Sequence, residues 1–278
     1  MKKVQAIVYS DGTFDTIEDY HKKQSKEWEY LQRKKSDEES YRFIDDNFGS
    51  FYFNNYNKLL AKNLESQMLF RFTYLCTFLD YENNLRYGAS NGIMLEKDLQ
   101  EVLKLSERET RNTKNALIKT NLLLSQNKEL SINKNFCSKG ETKKLFTEKG
   151  VIRMFEEGIK KLYEGSQPRD HKKVGVLLKI LPYLHIETNV LCHNPNEEDI
   201  ELIKPLTLTE MANILGFSTT QKLKKGLFDL KIDDTPVIMN SIINNVRKIV
   251  VNPQVYYKGS NIEQMKGLIN LFKVGNKI

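Results

Sequence analysis

The chain has 278 residues, 40% of them hydrophobic and 28% charged, with a formal net charge of +7. That length points to about two domains, and the apolar content suffices for packed cores, which excludes global disorder. No apolar run nears the roughly 20 residues that cross a bilayer, and Met1-Lys2-Lys3-Val4 leads into a strand-like run rather than a signal region, so a soluble cytoplasmic protein is expected.

Residues 2–9 read as a strand closed by the turn signal Ser10-Asp11-Gly12-Thr13. From about 16 to 42 the chain is highly charged, lacks Gly and Pro, and predicts one long, weakly amphipathic helix or two. Residues 47–57 (NFGSFYFNNYN) look like an aromatic connector packed onto the first module. Together, residues 1–60 form an extension that serves either as an oligomerisation arm or as a lid on the core. An apolar helix is expected over 64–79, buried because apolar positions occur all round it. Next come a short strand at 93–95 and a helix over 96–103 with Leu99, Val102 and Leu103 inward. Ser106 and Glu109 match the S-x-x-E capping box of a third helix. Residues 122–125 and 130–133 flank the polar turn Gln126-Asn127-Lys128-Glu129 as a hairpin. A linker helix is predicted over 147–163, stopped by Gly165 and Pro168.

The plan then repeats. An apolar helix spans 172–184, Thr207 with Glu210 caps a second helix, and Ser218 with Gln221 caps a third. Strands at 237–243 and 248–252 form a hairpin, and 262–272 closes the chain as a helix. Two anchors match between the copies. They are Leu103-Lys104-Leu105-Ser106 against Leu215-Gly216-Phe217-Ser218, and the segment from Asn133 to Gly140 against that from Asn252 to Gly259. The offset between copies grows from 105 at the leading helix to 112 at the turn and 119 at the closing strand, as two insertions would produce. Repeats fix architecture. The expected fold is mostly α with small β-hairpins (α+β), built as tandem winged helix-turn-helix domains. The expected boundaries are 1–60 for the extension, 61–145 for domain one, 146–168 for the linker helix and 169–278 for domain two.

Charge follows the repeats. Residues 1–60 carry 10 Lys/Arg and 11 Asp/Glu, whereas 107–139 and 219–260 each carry 7 basic and 3 acidic residues. A basic stripe on one element is the footprint of a nucleic-acid binder; its alternative is a solvated face. On the third helix of module one, Arg108, Arg111, Asn112, Asn115 and Lys119 fall at i, i+3, i+4, i+7 and i+11, on one face. Arg suits guanine or phosphate and Asn suits adenine. In module two, Leu223, Leu227 and Leu230 face inward, leaving Thr219, Gln221, Lys222, Lys224 and Lys225 exposed. Such a Lys-rich face favours phosphates. Gly226 inside that helix implies close packing. In the wings, Lys128 and Lys134, or Arg247 and Lys248, are placed to reach a backbone.

Enzyme signals are poor. His21, His171, His185 and His193 form no metal motif, no phosphate-cradling Gly-rich loop exists, and Tyr256-Tyr257 reads better as wing packing than as a nucleophile. Cys76, Cys137 and Cys192 are expected as buried reduced thiols. No catalysis, cofactor or metal is expected.

The tandem modules with their closing strands INKNFCSKG and IVVNPQVYYKG, above all NPQVYYKG, resemble the winged-helix replication proteins of plasmids and phages of Gram-positive bacteria. The resemblance covers about residues 64–272. It implies two winged helices that bind origin or operator repeats to start or regulate replication. Arg108, Arg111, Asn112 and Asn115, then Thr219, Gln221, Lys222 and Lys225, would be the contacting positions. Module one departs from the pattern, with Lys134 and Cys137-Ser138 where module two has Pro253 and Tyr256-Tyr257. The partners implied are duplex DNA at repeated or paired sites, with a second copy of the chain and host replication proteins as further candidates. A transcriptional repressor with the same surfaces, and a phage-encoded adaptor or inhibitor on this scaffold, are the competing readings.

Overall fold

The computed structural model describes residues 6–10, 13–140, 151–243, 246–257, 259 and 262–275, in two compact units, 1–46 and 47–278. In the first unit, β1 (Ala6–Val8) pairs antiparallel with β2 (Phe14–Thr16), and α1 (Ile17–Phe48) begins there and ends two residues past its boundary. The tip is tied by Lys23, whose ammonium lies 2.6 Å from Asp15 while Tyr9 donates to the same carboxylate at 2.7 Å. Trp28, Tyr30 and Leu31 of α1 are exposed.

The second unit starts with β3 (Ser50–Phe53), α2 (Tyr56–Leu60) and α3 (Ser66–Leu75). A hairpin of β4 (Arg86–Tyr87) and β5 (Gly92–Ile93) leads through a single 3-10 turn, Glu96–Asp98, to α4 (Leu99–Leu103) and α5 (Glu107–Lys119). Then come β6 (Leu123–Gln126), β7 (Glu129–Ile132) and β8 (Cys137–Ser138). Past residue 150 the order returns: β9 (Ile152–Phe155), α6 (Glu156–Glu164), α7 (His171–Leu178), α8 (Leu208–Ile214) and α9 (Thr220–Leu227). A small hairpin of β10 (Lys231–Ile232) and β11 (Thr235–Pro236) precedes the long hairpin of β12 (Ile238–Ile243) and β13 (Val246–Val251), and α10 (Ile262–Gly275) comes last. The fold is α+β, with small antiparallel sheets and, after α1, helices of 14 residues or fewer.

The duplication is written in the hydrogen bonds. Asn83 and Asn189 are both buried, both sit at positive φ (72° and 51°), and both donate Nδ2–H to two carbonyls. Asn83 bonds Ile132 and Cys137 at 3.1 and 2.7 Å; Asn189 bonds Val251 and Tyr256 at 3.1 and 2.6 Å. Those carbonyl positions differ by the 119-residue offset of the closing strands. Each asparagine thus locks its hairpin to the segment after its leading helix. The turn between α4 and α5 also repeats: Lys104 (φ 50°) occupies the left-handed conformation that Gly216 (φ 73°) adopts after α8. Lysine carries a steric penalty there that glycine does not.

The equivalent strands β3 and β9 pair antiparallel, from Ser50 opposite Phe155 to Phe53 opposite Ile152. β8 flanks β3, and Tyr256 bridges to Met154 beyond β9. The equivalent helices α3 and α7 pack together. A single hydrophobic cluster runs from Phe51 to Tyr256, so the two repeats share one core. Gly175 permits it, because a Cβ there would overlap the Ser66 carbonyl of α3.

Three expectations change. Residues 47–60, assigned to the extension, belong to the second unit, with Phe51 and Phe53 fully buried in a central strand. The linker helix over 147–163 is a strand at Ile152–Phe155 followed by α6; residues 147–150 of that expectation lie outside the described residues, as do 2–5 of the first strand and 11–12 of its turn. The leading helices are shorter than the apolar runs, ending at Leu75 and Leu178 before single 3-10 turns. Cys76, Cys137 and Cys192 are buried and free, as expected. Among the described residues no helix is long and apolar enough to cross a membrane.

Gly175→Ala forces α3 and α7 apart at the centre of the shared core. It is expected to lower stability by about 1–3 kcal/mol, read from the urea midpoint; an unshifted midpoint would show that this contact does not set the packing.

Candidate nucleic-acid interface

Helix α5 is built to keep one face inside. Thr110, Thr113 and Leu117 are buried, while Arg108, Arg111, Asn112, Asn115 and Lys119 are exposed along the opposite face. Among the described residues none of these five side chains takes a hydrogen-bond or ion-pair partner. Lys114, on another flank of the same helix, is instead held 2.6 Å from Glu96. Glu96 also accepts from Ser125 of β6 at 2.6 Å, and these partners, Lys114 first, keep its carboxyl below the usual carboxylate range. The β6–β7 hairpin is thereby tied to one side of α5, leaving the donor-rich ridge free.

Ser106 caps the helix, accepting from the Glu109 amide at 3.3 Å, but the reciprocal half of the expected box is absent. The Glu109 carboxylate lies 3.1 Å from Arg71 instead. Arg71 rises from α3 and is buried, its side chain only 4% exposed. Its Nη1 donates to Thr113 at 3.0 Å and its Nε to Nδ1 of His171 at 3.2 Å. One guanidinium therefore joins α3, α5 and the first residue of α7. Nδ1 must be unprotonated to accept that bond, so the ring proton sits on Nε2. Burial, and then the adjacent Arg71 charge, pulls the His171 pKa down to about 4. Tyr163 of α6 stacks on Tyr74 of α3 at 3.7 Å and donates to the Leu103 carbonyl at 2.8 Å, steadying the turn before α5. Sequence reading missed this network. Its one visible signal was an arginine inside the apolar run QMLFRFTYL.

The remaining candidates are also at the surface. Lys128 is exposed at the tip of the β6–β7 hairpin, where Asn127 and Lys128 both have positive φ (53° and 70°), the requirement of a two-residue type I′ turn. In module two, Gln221, Lys222, Lys224 and Lys225 of α9 are exposed, while Leu223 and Leu227 are buried and Leu230 half-buried. The expected Ser218–Gln221 cap does not form. Thr219 is the cap, its hydroxyl accepting from the Lys222 amide at 3.2 Å, while Ser218 takes the Lys222 ammonium at 3.1 Å. Thr219 is thus exposed but already engaged at its oxygen. Thr207 and Glu210 do form their full box. Gly226 faces the Phe217 ring, which a Cβ would meet at 3.4 Å. Arg247 is exposed on β13, and Lys248 is half-buried. Tyr256 and Tyr257 are buried, and burial pushes the Tyr257 hydroxyl up to about 12. Among the described residues no group of three or more His, Cys, Asp or Glu side chains is arranged to hold a metal ion.

No family model, curated protein or solved structure matches this chain.

The His171 environment has a signed pH consequence. A histidine whose folded pKa lies below its unfolded value binds protons more weakly when folded, so its stabilising contribution is intact above about pH 6.5 and is lost as pH falls toward 4. Unfolding measured across that window should show a loss on the order of 3 kcal/mol in the wild type. In His171→Gln the slope should flatten between pH 6.5 and 4; an equal slope in both proteins would refute the assignment.

Proposed function

We propose that this chain binds duplex DNA sequence-specifically through two winged helix-turn-helix modules, α4–α5 with the wing β6–β7 and α8–α9 with the wing β12–β13. The observation that carries the reading is the α5 ridge, where two arginines, two asparagines and a lysine project to solvent without intramolecular partners among the described residues. Charged and amide groups that are hydrated along one face, with no partner within the described protein, are available to external acceptors. Arg matches the guanine edge and Asn the adenine edge in a major groove wide enough for a helix. The α9 face, with lysines in place of arginines, suits phosphates and positions the second module with weaker base selection. Lys128 and Arg247 on the wings extend the backbone contacts. Phosphate neutralisation supplies most of the affinity and makes it salt-dependent.

The resemblance to winged-helix replication proteins of plasmids and phages of Gram-positive bacteria supports a biological role in starting or controlling replication in the cytoplasm at paired or repeated sites. Host replication proteins are then its further partners. The same reading assigns no catalysis and no cofactor to the chain.

Selection of bound sequences from a random duplex pool at physiological salt should yield a defined site. Arg111→Ala should cost about 1–3 kcal/mol on that site and relax one base position, whereas Lys128→Ala should weaken all sequences alike. A pool that yields no consensus, or an Arg111→Ala protein with unaltered affinity and selectivity, would sink the proposal.

A further inference from the structure

An open cleft of about 510 Å³ lies beside α5, on the flank away from the wing. Asn112 and Glu109 of α5 form one wall, Arg71 belongs to α3 with Glu65 as its N-cap, Arg169 lies in the 3-10 turn before α7, and Lys172 is in the first turn of α7. At 3.6 residues per turn, Asn112 and Glu109 turn to one side of the Arg108–Lys119 ridge and Lys114 to the other. A helix seated in a major groove has a phosphate strand on each side. On the Lys114 side the nearest element is the first wing, carrying Lys128. On the Asn112 side it is this cleft.

The charges there are unevenly compensated. Arg71 neutralises Glu109, whereas Glu65, hydrogen-bonded to the neutral Gln67 amide, keeps its negative charge on the far wall. Lys172 is exposed with no ion-pair partner among the described residues, and Arg169, its side chain 87% exposed, comes no nearer than 3.9 Å to Asp170, which is itself taken by Lys173 at 2.9 Å. Lys172, unpaired among the described residues, and Arg169, only loosely paired with Asp170, therefore stand on the rim of a groove that opens beside the base-reading ridge.

We infer that this cleft seats a backbone phosphate of the DNA strand flanking α5, held by Arg169 and Lys172. The inference rests on the DNA-binding reading and adds to it a contact supplied by the start of module two to the half-site read by module one. A phosphate is the chemistry recognised: Arg169 offers its fork of N–H donors and Lys172 a point charge. Neither residue belongs to a third helix or a wing, so neither stands in the sequence-predicted interface.

The test uses the full chain and a duplex carrying the site selected by the wild type, with affinity measured between 50 and 200 mM KCl. The Arg169→Ala/Lys172→Ala double variant should lose affinity about tenfold or more, by the same factor on the selected duplex and on an unrelated one. Its log–log salt slope should be shallower by nearly two, with base preference retained. Arg169→Lys should keep the wild-type slope. Both side chains are at the surface, so the thermal midpoint of the double variant should match the wild type. A slope equal to that of the wild type overturns the inference while leaving the DNA-binding reading intact. So does a cleft that answers only to free anion, with inorganic phosphate at constant ionic strength raising the wild-type midpoint and the DNA slope unaltered in the variant. Failure of the wild type to bind any duplex removes the DNA-binding reading itself, and this inference with it.

Discussion

The backbone contact between Gly175 of α7 and the Ser66 carbonyl of α3 sets the spacing on which the larger unit depends. With the helices that close, β3 can pair with β9, Tyr163 can stack on Tyr74, and Arg71 can reach His171 across the junction. A side chain at position 175 would act on all of these together. Close-packed interiors do not absorb such a change locally, because neighbours already fill the space.

Sharing a core has a consequence for the two ridges. Helix α5 packs on α3 and α9 on α7, so the relative placement of the third helices is set by the α3–α7 contact rather than by a tether. Under the DNA-binding proposal, no entropy need be lost in orienting one module after the other has bound, which favours paired sites of fixed spacing. The two ridges are nonetheless unequal. The α5 face combines arginine with asparagine over a 13-residue helix, whereas α9 spans 8 residues and offers chiefly lysine.

Arg71 shows how a buried cation is tolerated. Its three nitrogens meet Glu109, Thr113 and the neutral ring of His171, so its donors reach both α5 and α7 from α3. Burying an ion is costly unless it is paired and hydrogen-bonded. Placed here, the arginine couples the orientation of α5 to the start of the second repeat, and diverts Glu109 from the capping role that its spacing suggested.

Much of the local structure was legible in the residues. The helix over 107–119, the hairpin around Asn127-Lys128, the Thr207–Glu210 box and the exposed α5 ridge arise from periodicity, turn chemistry and capping. These act over one or a few turns of chain. The duplication was legible too, although the paired asparagines Asn83 and Asn189 emerge as its pins only through carbonyls some 50 to 70 residues away. Strands β3 and β9 escaped because both faces are buried, which erases the apolar–polar alternation that marks a half-exposed strand. Arg71, Tyr163 and the cleft at Arg169 and Lys172 escaped for a related reason: each takes its meaning from partners on other elements. The amino-acid order settled which short segments coil, turn and stay polar, since those preferences are local. Only tertiary packing decided which of them became neighbours, since burial and charge compensation depend on groups that the chain brings together from a hundred residues apart.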